Sequence, residues 1–441
     1  MTLATRLRRP ATIRSILVTA GVFGWLALAA LGFRMYGTGP QPGAGFDLWL
    51  LTEGGRHVAA GISPYDPTML AGGSVRIANL FYSYPPLVAQ AFSLLAFAPA
   101  FAIFAGAGVL ATVAAVGVGR LVATVAGPSA IGPVAALPVA ALPIAPMPIA
   151  ALPIAALLPF WFPYTVAVLF GNVDMFFPAL YGLVLIAVLR PASPRADRWV
   201  VLGGVALVLA SVIKLHPAVL GLWLLARGVR ELRLAEDVRT IGRLRLPRSW
   251  RIAAVAVIAV AAIFGISLAV GGLQPWREYV AVLRAGASVD LLDPRNIGPA
   301  VQIVMLFALG PGAVGPIQVV VLSVALAVTI VSAIRVADPL ESLAWAAAAS
   351  FIVLPVTWFH HFAALIPFGI AAIARGAALT ADVVRRLWIL LVVSYAIVMI
   401  GFAQPPTWLL VPVVLAAARI SRRPDRDDGF RQGRSGSPAS A

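Results

Sequence analysis

The sequence contains no cysteine and few charged residues. Without cysteine, neither disulfides nor thiolate metal sites are available. Charged residues make up 11% of the 441 residues, whereas a soluble domain carries about 25%. No long polar segment separates the hydrophobic runs, and the mean hydropathy is +0.95. These absences exclude a water-soluble globular protein.

Hydrophobic stretches long enough to cross a hydrocarbon core of about 30 Å recur along the chain. The arginines behind the net charge of +16 lie mostly in short loops beside these stretches. This positive-inside pattern indicates cytoplasmic loops and argues against nucleic-acid binding. The first apolar run follows a basic N-terminus but is too long for a signal peptide, so we predict a retained anchor.

We predict an all-α polytopic membrane protein, a bundle of about twelve transmembrane helices in the plasma membrane with both termini in the cytoplasm. Residues 1–420 form one domain. Residues 34–85 and 271–312 form outer loops with interfacial helices, and residues 421–441 form a disordered basic tail. The predicted spans are 13–33, 99–124, 133–158, 170–190, 199–213, 216–228, 251–270, 314–335, 341–357, 361–376, 387–402 and 407–420.

One stretch does not fit a single helix. Residues 199–227 begin and end beside arginines, so both ends should face the cytoplasm. A turn at Lys214-Leu215-His216-Pro217 would divide the stretch into two short helices, because Pro217 breaks a helix. Turns at membrane depth are tolerated where they line a polar cavity.

Two ionisable residues have both a functional and a structural interpretation. Lys214 is the one lysine among 33 basic residues. Charged groups at membrane depth usually line a substrate path, so we favour function over a lysine that snorkels to the interface. Asp47 begins an amphipathic stretch in the first outer loop, where a carboxylate also serves as a helix cap.

Five short motifs follow one another along the chain. They are Asp47, Gly61-x-x-Pro64-Tyr65-Asp66, Tyr82-x-Tyr84-Pro85-Pro86-Leu87, Gly171-Asn172-Val173-Asp174 and Ile213-Lys214-Leu215-His216-Pro217. In this order they resemble glycosyltransferase family 87, from about residue 44 to 365. The family consists of GT-C-type membrane enzymes that use polyprenyl-phosphate sugars, including α-(1→2)-mannosyltransferases and a branching arabinofuranosyltransferase.

The resemblance implies an inverting glycosyltransferase that moves a sugar from a polyprenyl-phosphate donor to an envelope glycolipid or glycan on the outer face. It implies an α-linked product and favours mannose over arabinofuranose. Asp47 is the implied general base. The implied substrate-binding residues, some of which balance the leaving phosphate, are Lys214, His216, His360, His361, Tyr84, Asn172, Asp174 and Asn296.

We predict no cofactor and no metal. Asp290 and Asp293 are close in sequence but lie on a loop, and a phosphate balanced by lysine and histidine needs no divalent ion. The alternative function is a transporter or flippase, since polar turns and a lone lysine also suit an alternating-access carrier. Such carriers usually contain paired halves. Because the Lys-Leu-His-Pro motif occurs once and no internal repeat is evident, the enzyme is favoured.

Overall fold

A computed structural model describes residues 10–36, 43–73, 81–127, 154–190, 197–236, 246–286, 291–377, 379–401 and 404–422. Within these ranges the chain is helical and contains no strand. The helices are α1 Pro10–Tyr36, α2 Phe46–Ala59, α3 Pro67–Leu70, α4 Pro86–Ser93, α5 Ala100–Ala126, α6 Ile154–Leu157, α7 Phe162–Phe170, α8 Phe177–Leu189, α9 Asp197–Ile213, α10 Val219–Glu236, α11 Arg248–Gly271, α12 Gln274–Gly286, α13 Pro299–Leu306, α14 Val314–Arg335, α15 Pro339–Ser350, α16 Ile366–Gly376, α17 Ala381–Ile400 and α18 Leu410–Ile420. Short 3₁₀ helices cover Leu158–Phe160, Val173–Phe176, His216–Ala218, Pro311–Ala313, Phe359–Leu365 and Pro405–Leu409.

Five of the described helices, α1, α5, α11, α14 and α17, are long and apolar enough to cross a membrane. Little of each is buried inside the protein. Phe23, Leu110 and Ile258, for example, are 67%, 61% and 68% exposed. Apolar surface on this scale requires an apolar solvent, so these helices face lipid.

The shorter helices form the interior. Helix α8 is apolar on all sides, as expected for a buried helix, and it packs against α5, α9 and α16. A β-carbon on Gly203 would lie 2.4 Å from Cβ of Ala187, so this glycine allows the backbones of α8 and α9 to approach closely.

The predicted number of twelve spans is not confirmed. Among the described residues, five helices are long and apolar enough to cross a membrane. The predicted span 133–158 and the predicted tail lie mostly outside the described residues. The predicted span 341–357 is wrong in its extent, because α15 ends at Ser350 and covers about 18 Å at 1.5 Å per residue. The predicted span 361–376 begins in a 3₁₀ helix, and the predicted span 170–190 is interrupted after Phe170, the last residue of α7, by a 3₁₀ turn at Val173–Phe176.

The predicted break at Lys214–Pro217 is present. Helix α9 ends at Ile213, a 3₁₀ turn covers His216–Ala218, and α10 begins at Val219. The first predicted outer loop contains α2, which packs against α4, and the late loop contains α12 and α13. Three interruptions of regular helix thus carry Asp174, Lys214 and the pair His360 and His361.

Candidate active site

The start of α2 is tied to the end of α7 by backbone contacts. Gly45 precedes α2 in the left-handed region, with φ of +72°. Its N–H donates to the carbonyl of Leu169 at 2.8 Å. Asp47 therefore lies in the first turn of α2, partly exposed, beside the segment that follows α7.

Gly171 ends α7 and allows this close approach. Its φ is +64°, a conformation that favours glycine. A β-carbon on Gly171 would lie 2.7 Å from Cβ of Leu48, so a larger residue would push α2 away. The chain then enters the 3₁₀ turn with Asn172 beside Asp47.

Asn172 connects the two carboxylates of the site. Its Nδ2 donates to Oδ2 of Asp47 at 2.6 Å. Its Oδ1 accepts from the backbone N–H of Asp174 at 3.0 Å, which also caps the 3₁₀ turn. Asn172 is only 4% exposed, so this bridge is held by packing as well as by hydrogen bonds.

Asp174 is completely buried and contacts the lone lysine. Nζ of Lys214 lies 3.0 Å from Oδ1 and 3.1 Å from Oδ2 of Asp174. Nε2 of His360 and Nε2 of His361 each lie 3.5 Å from Oδ2. A buried carboxylate needs such a counter-charge, because an uncompensated ion in the interior is costly.

Lys214 has a defined orientation. Its Nζ also lies 3.1 Å from Nε2 of His361. An ammonium group has three N–H donors, so contacts to Asp174 and His361 leave one for another partner. The Lys214 side chain is 14% exposed, whereas Asp174 is fully buried. Lys214 is therefore the accessible member of this ion pair.

His216 supports the site from the side. Its ring stacks on that of His361 with centroids 5.0 Å apart, and its Nδ1 lies 3.4 Å from Oγ of Ser350. Ser350 Oγ also lies 3.2 Å from the Tyr181 hydroxyl. Ser350 and Tyr181 were not predicted as site residues. The one signal for each in the sequence is a polar residue within an apolar helix.

Burial raises the pKa of Asp47 to about 6. The hydrogen bond from Asn172 and the charge of Lys214 lower this pKa, and the nearby Asp174 raises it. Burial, Asp47 and Asp174 all raise the pKa of Tyr84, so its hydroxyl stays protonated near both carboxylates.

Asn296 does not fit the predicted substrate-binding role. Its Nδ2 donates to the carbonyls of Leu291 and Pro355 at 3.3 and 3.1 Å. Its Oδ1 accepts from the N–H groups of Gly298 and Thr357 at 3.0 and 2.9 Å. These four bonds use the full capacity of an amide. Asn296 instead anchors the segment that leads to His360.

Asp174, His360 and His361 also form a possible metal-ligand set, with one ligand atom from each residue all within 4.8 Å of one another. Two histidines and a carboxylate suit divalent transition metals. The ammonium of Lys214, however, lies 3.0–3.1 Å from Asp174 and His361. A metal ion would have to displace it, so metal independence stays a prediction.

A family model described as glycosyltransferase family 87 matches residues 82–357, more than half of the chain. The chain belongs to glycosyltransferase family 87. The motif resemblance is thereby confirmed, and with its apolar helices the chain is a membrane-embedded glycosyltransferase. The family 87 match includes Asn172, Asp174 and Lys214, whereas Asp47 precedes it and His360 and His361 follow it. No curated protein matches the chain.

Proposed function

We propose that this family 87 enzyme transfers a hexose, with mannose favoured, from a polyprenyl-phosphate donor to a glycolipid or glycan acceptor. The reaction takes place at the outer face of the plasma membrane and inverts the anomeric centre. The observation that carries the proposal is the chain of contacts from Asp47 through Asn172 and Asp174 to Lys214. It holds a carboxylate and an ammonium in one cluster.

In the proposed mechanism, Asp47 is the general base. The acceptor hydroxyl gives its proton to the Asp47 carboxylate while its oxygen forms the new bond to C1 of the sugar. A pKa of about 6 leaves Asp47 ionised at neutral pH, and it makes the carboxylate a stronger base than an ordinary aspartate. Attack opposite the leaving phosphate converts a β-linked donor into an α-linked product.

Lys214 is proposed to balance the departing phosphate. The bond from C1 to the phosphate oxygen breaks, and its electron pair leaves with the polyprenyl phosphate. A positive group already oriented toward that charge stabilises the transition state, because no reorganisation is needed during the reaction. Asp174 and His361 hold Lys214 in this orientation with one N–H free. His216, His360 and Tyr84 complete the predicted substrate contacts.

The experiment compares wild type with Asp47→Asn in nanodiscs. Each protein is offered polyprenyl-phosphate mannose or polyprenyl-phosphate arabinose, with a mixed envelope-glycolipid extract as acceptor, and transfer of labelled sugar is measured. We expect transfer from the mannose donor by wild type and a loss of about 100-fold or more in Asp47→Asn, the usual contribution of general-base catalysis. A parallel assay with chelator tests metal independence.

Asp66→Asn is the matched control, because Asp66 is a carboxylate in the same loop whose Oδ1 caps α3 through the Thr68 N–H. Asparagine caps equally well, so this variant should transfer like wild type. Equal transfer by Asp47→Asn would leave Asp47 with a structural role only, as a carboxylate in the first turn of α2 that accepts from Asn172. Transfer from the arabinose donor alone would change the sugar. If the folded wild type used neither donor, the transporter would be favoured instead.

A further inference from the structure

A basic pocket lies between the C-terminal ends of α10 and α14, apart from the candidate active site. Its volume is about 500 Å³, and it is lined by Val229, Arg230, Arg233, Leu234, Ile334 and Arg335. Helix α14 is one of the candidate spans and ends at Arg335. The pocket therefore lies where this span leaves the hydrocarbon core, at the depth of lipid headgroups.

Part of the nearby arginine cluster is explained by helix capping. Arg227 donates to the carbonyls of Val336 and Ala337, each at 2.7 Å, and Arg230 donates through one nitrogen to that of Ile334. Cations at a helix C-terminus stabilise its unpaired carbonyls. Arg227 and one nitrogen of Arg230 are thus used to cap the C-terminus of α14.

The other guanidinium groups that line the pocket, those of Arg233 and Arg335, do not cap any of the described helices. Within the described ranges, no acceptor or carboxylate pairs with Arg233 or Arg335, and Nε of Arg230 is buried without a partner. Three guanidinium groups therefore face one pocket. Like charges held together repel one another, so such a pocket favours an anion.

Two carboxylates that act on this arginine cluster, Glu231 and Asp338, have other partners. Glu231 accepts from the N–H and the hydroxyl of Ser249 at 3.1 and 2.6 Å. Asp338 pairs with Arg375 at 2.6 Å. Among the described side chains, neither carboxylate forms an ion pair with Arg230, Arg233 or Arg335, so these guanidinium groups are open to an external anion.

We propose that this pocket binds the phosphate headgroup of an anionic phospholipid. Arginine binds phosphate through two parallel hydrogen bonds, and basic pockets between spans at the membrane surface suit anionic lipids. Val229, Leu234 and Ile334 give the pocket an apolar side for the adjoining acyl chains, and Leu234 is 55% exposed. A free phosphate ion shares the anion chemistry but makes no use of this apolar side.

The test measures binding of fluorescent phosphatidylglycerol to the full-length protein in detergent micelles. Arg233→Gln/Arg335→Gln is compared with wild type. We expect saturable binding to wild type and about 30-fold weaker binding to the double variant, on the basis of the usual contribution of each arginine near an anionic lipid. Unlabelled phosphatidylglycerol, phosphatidylcholine and inorganic phosphate are added separately as competitors.

Arg385→Gln/Arg386→Gln is the matched control, because it removes the same charge from a cluster whose arginines already pair with Asp382 at 2.7 Å. It should bind the fluorescent lipid like wild type. An equal loss in both double variants, or no loss in either, would overturn the proposal. Displacement by phosphatidylcholine as effective as by phosphatidylglycerol would do the same. Displacement by inorganic phosphate would assign the pocket to a free anion.

Discussion

At the scale of single residues, the ionisation of Asp47 decides when the site can act. Its partly exposed carboxylate has a pKa of about 6, raised by desolvation and partly lowered by the Asn172 hydrogen bond. A general base acts in its ionised form. Activity should therefore be present above pH 6 and be lost as the pH falls through about 6, in the direction set by the raised pKa.

Removal of the Asn172 hydrogen bond should shift the pH at which activity is lost. Asn172→Ala removes an interaction that lowers the pKa of Asp47. The acid limb of the profile of kcat/KM against pH should therefore move to higher pH than in wild type. Asp66→Asn should leave the limb in place, because Asp66 only caps α3. An acid limb at the same pH in Asn172→Ala would mean that another group controls the profile.

Lys214 and Asp174 should be coupled in stability. Lys214→Gln leaves a fully buried Asp174 without its counter-charge, which costs about 3–5 kcal/mol for a broken buried pair. Asp174→Asn/Lys214→Gln removes both charges and should restore much of the thermal stability measured in detergent. Sugar transfer should remain absent, because the phosphate has lost its cation. Normal transfer by the double variant would exclude Lys214 from the reaction.

At the scale of helices, the site depends on where regular structure stops. Residues 351–358 follow α15 without regular helix, and side chains from elsewhere bond to three of their carbonyls. Gln318 donates to those of Ile352 and Val353 at 3.1 and 3.0 Å. Asn296 donates to that of Pro355. Irregular backbone at membrane depth is stable only with such partners, and local sequence does not reveal them.

The junction of α7 and α2 can be tested with two glycines. Gly171 and Gly61 both have positive φ, +64° and +72°, and alanine in this conformation costs about 1–2 kcal/mol. A β-carbon on Gly171 meets Leu48 at 2.7 Å, whereas one on Gly61 has no atom within 4 Å. Gly171→Ala should therefore lower the thermal midpoint more than Gly61→Ala does.

Activity should separate the same two variants. Gly171→Ala pushes α2 and Asp47 away from Asn172, so transfer should fall more than tenfold, since small displacements of catalytic groups cost about 100-fold. Gly61→Ala should retain transfer. Equal activities would mean that the close approach of α2 to Gly171 is not needed to position Asp47. The readouts are the thermal midpoint and labelled-sugar transfer, measured on the same preparations.

At the scale of the whole molecule, we predict that the site lies on the outer face of the membrane. The natural absence of cysteine allows single-cysteine labelling without a background. Ile62→Cys lies near the end of α2 and Leu246→Cys lies before α11, at positions 58% and 61% exposed. An impermeant maleimide should label Ile62→Cys on intact cells, and Leu246→Cys only after permeabilisation. The reverse pattern would place the site in the cytoplasm.

Composition and motif order were sufficient to predict a helical membrane protein of family 87, because span length, charge placement and short motifs are local properties. The break at Lys214–Pro217 followed from proline and flanking arginines for the same reason. The number of membrane spans could not be predicted from these local properties. A run as apolar as residues 341–357 can be helix or irregular chain, and distant partners such as Gln318 and Asn296 determine which forms.

The arrangement of the site was decided by tertiary structure. From the sequence, Asp47 was predicted as the general base. Asn172, Asp174 and Lys214 were each predicted, independently of one another, to bind substrate. Packing buries Asp174 under Lys214 and turns Asn172 toward Asp47. Which polar group is buried and which stays accessible depends on contacts such as Asp47 to Asn172 and Lys214 to His361, which are 125 and 147 positions apart. Those contacts exist only in the folded chain, so no reading of neighbouring residues could have separated the accessible Lys214 from its buried partner.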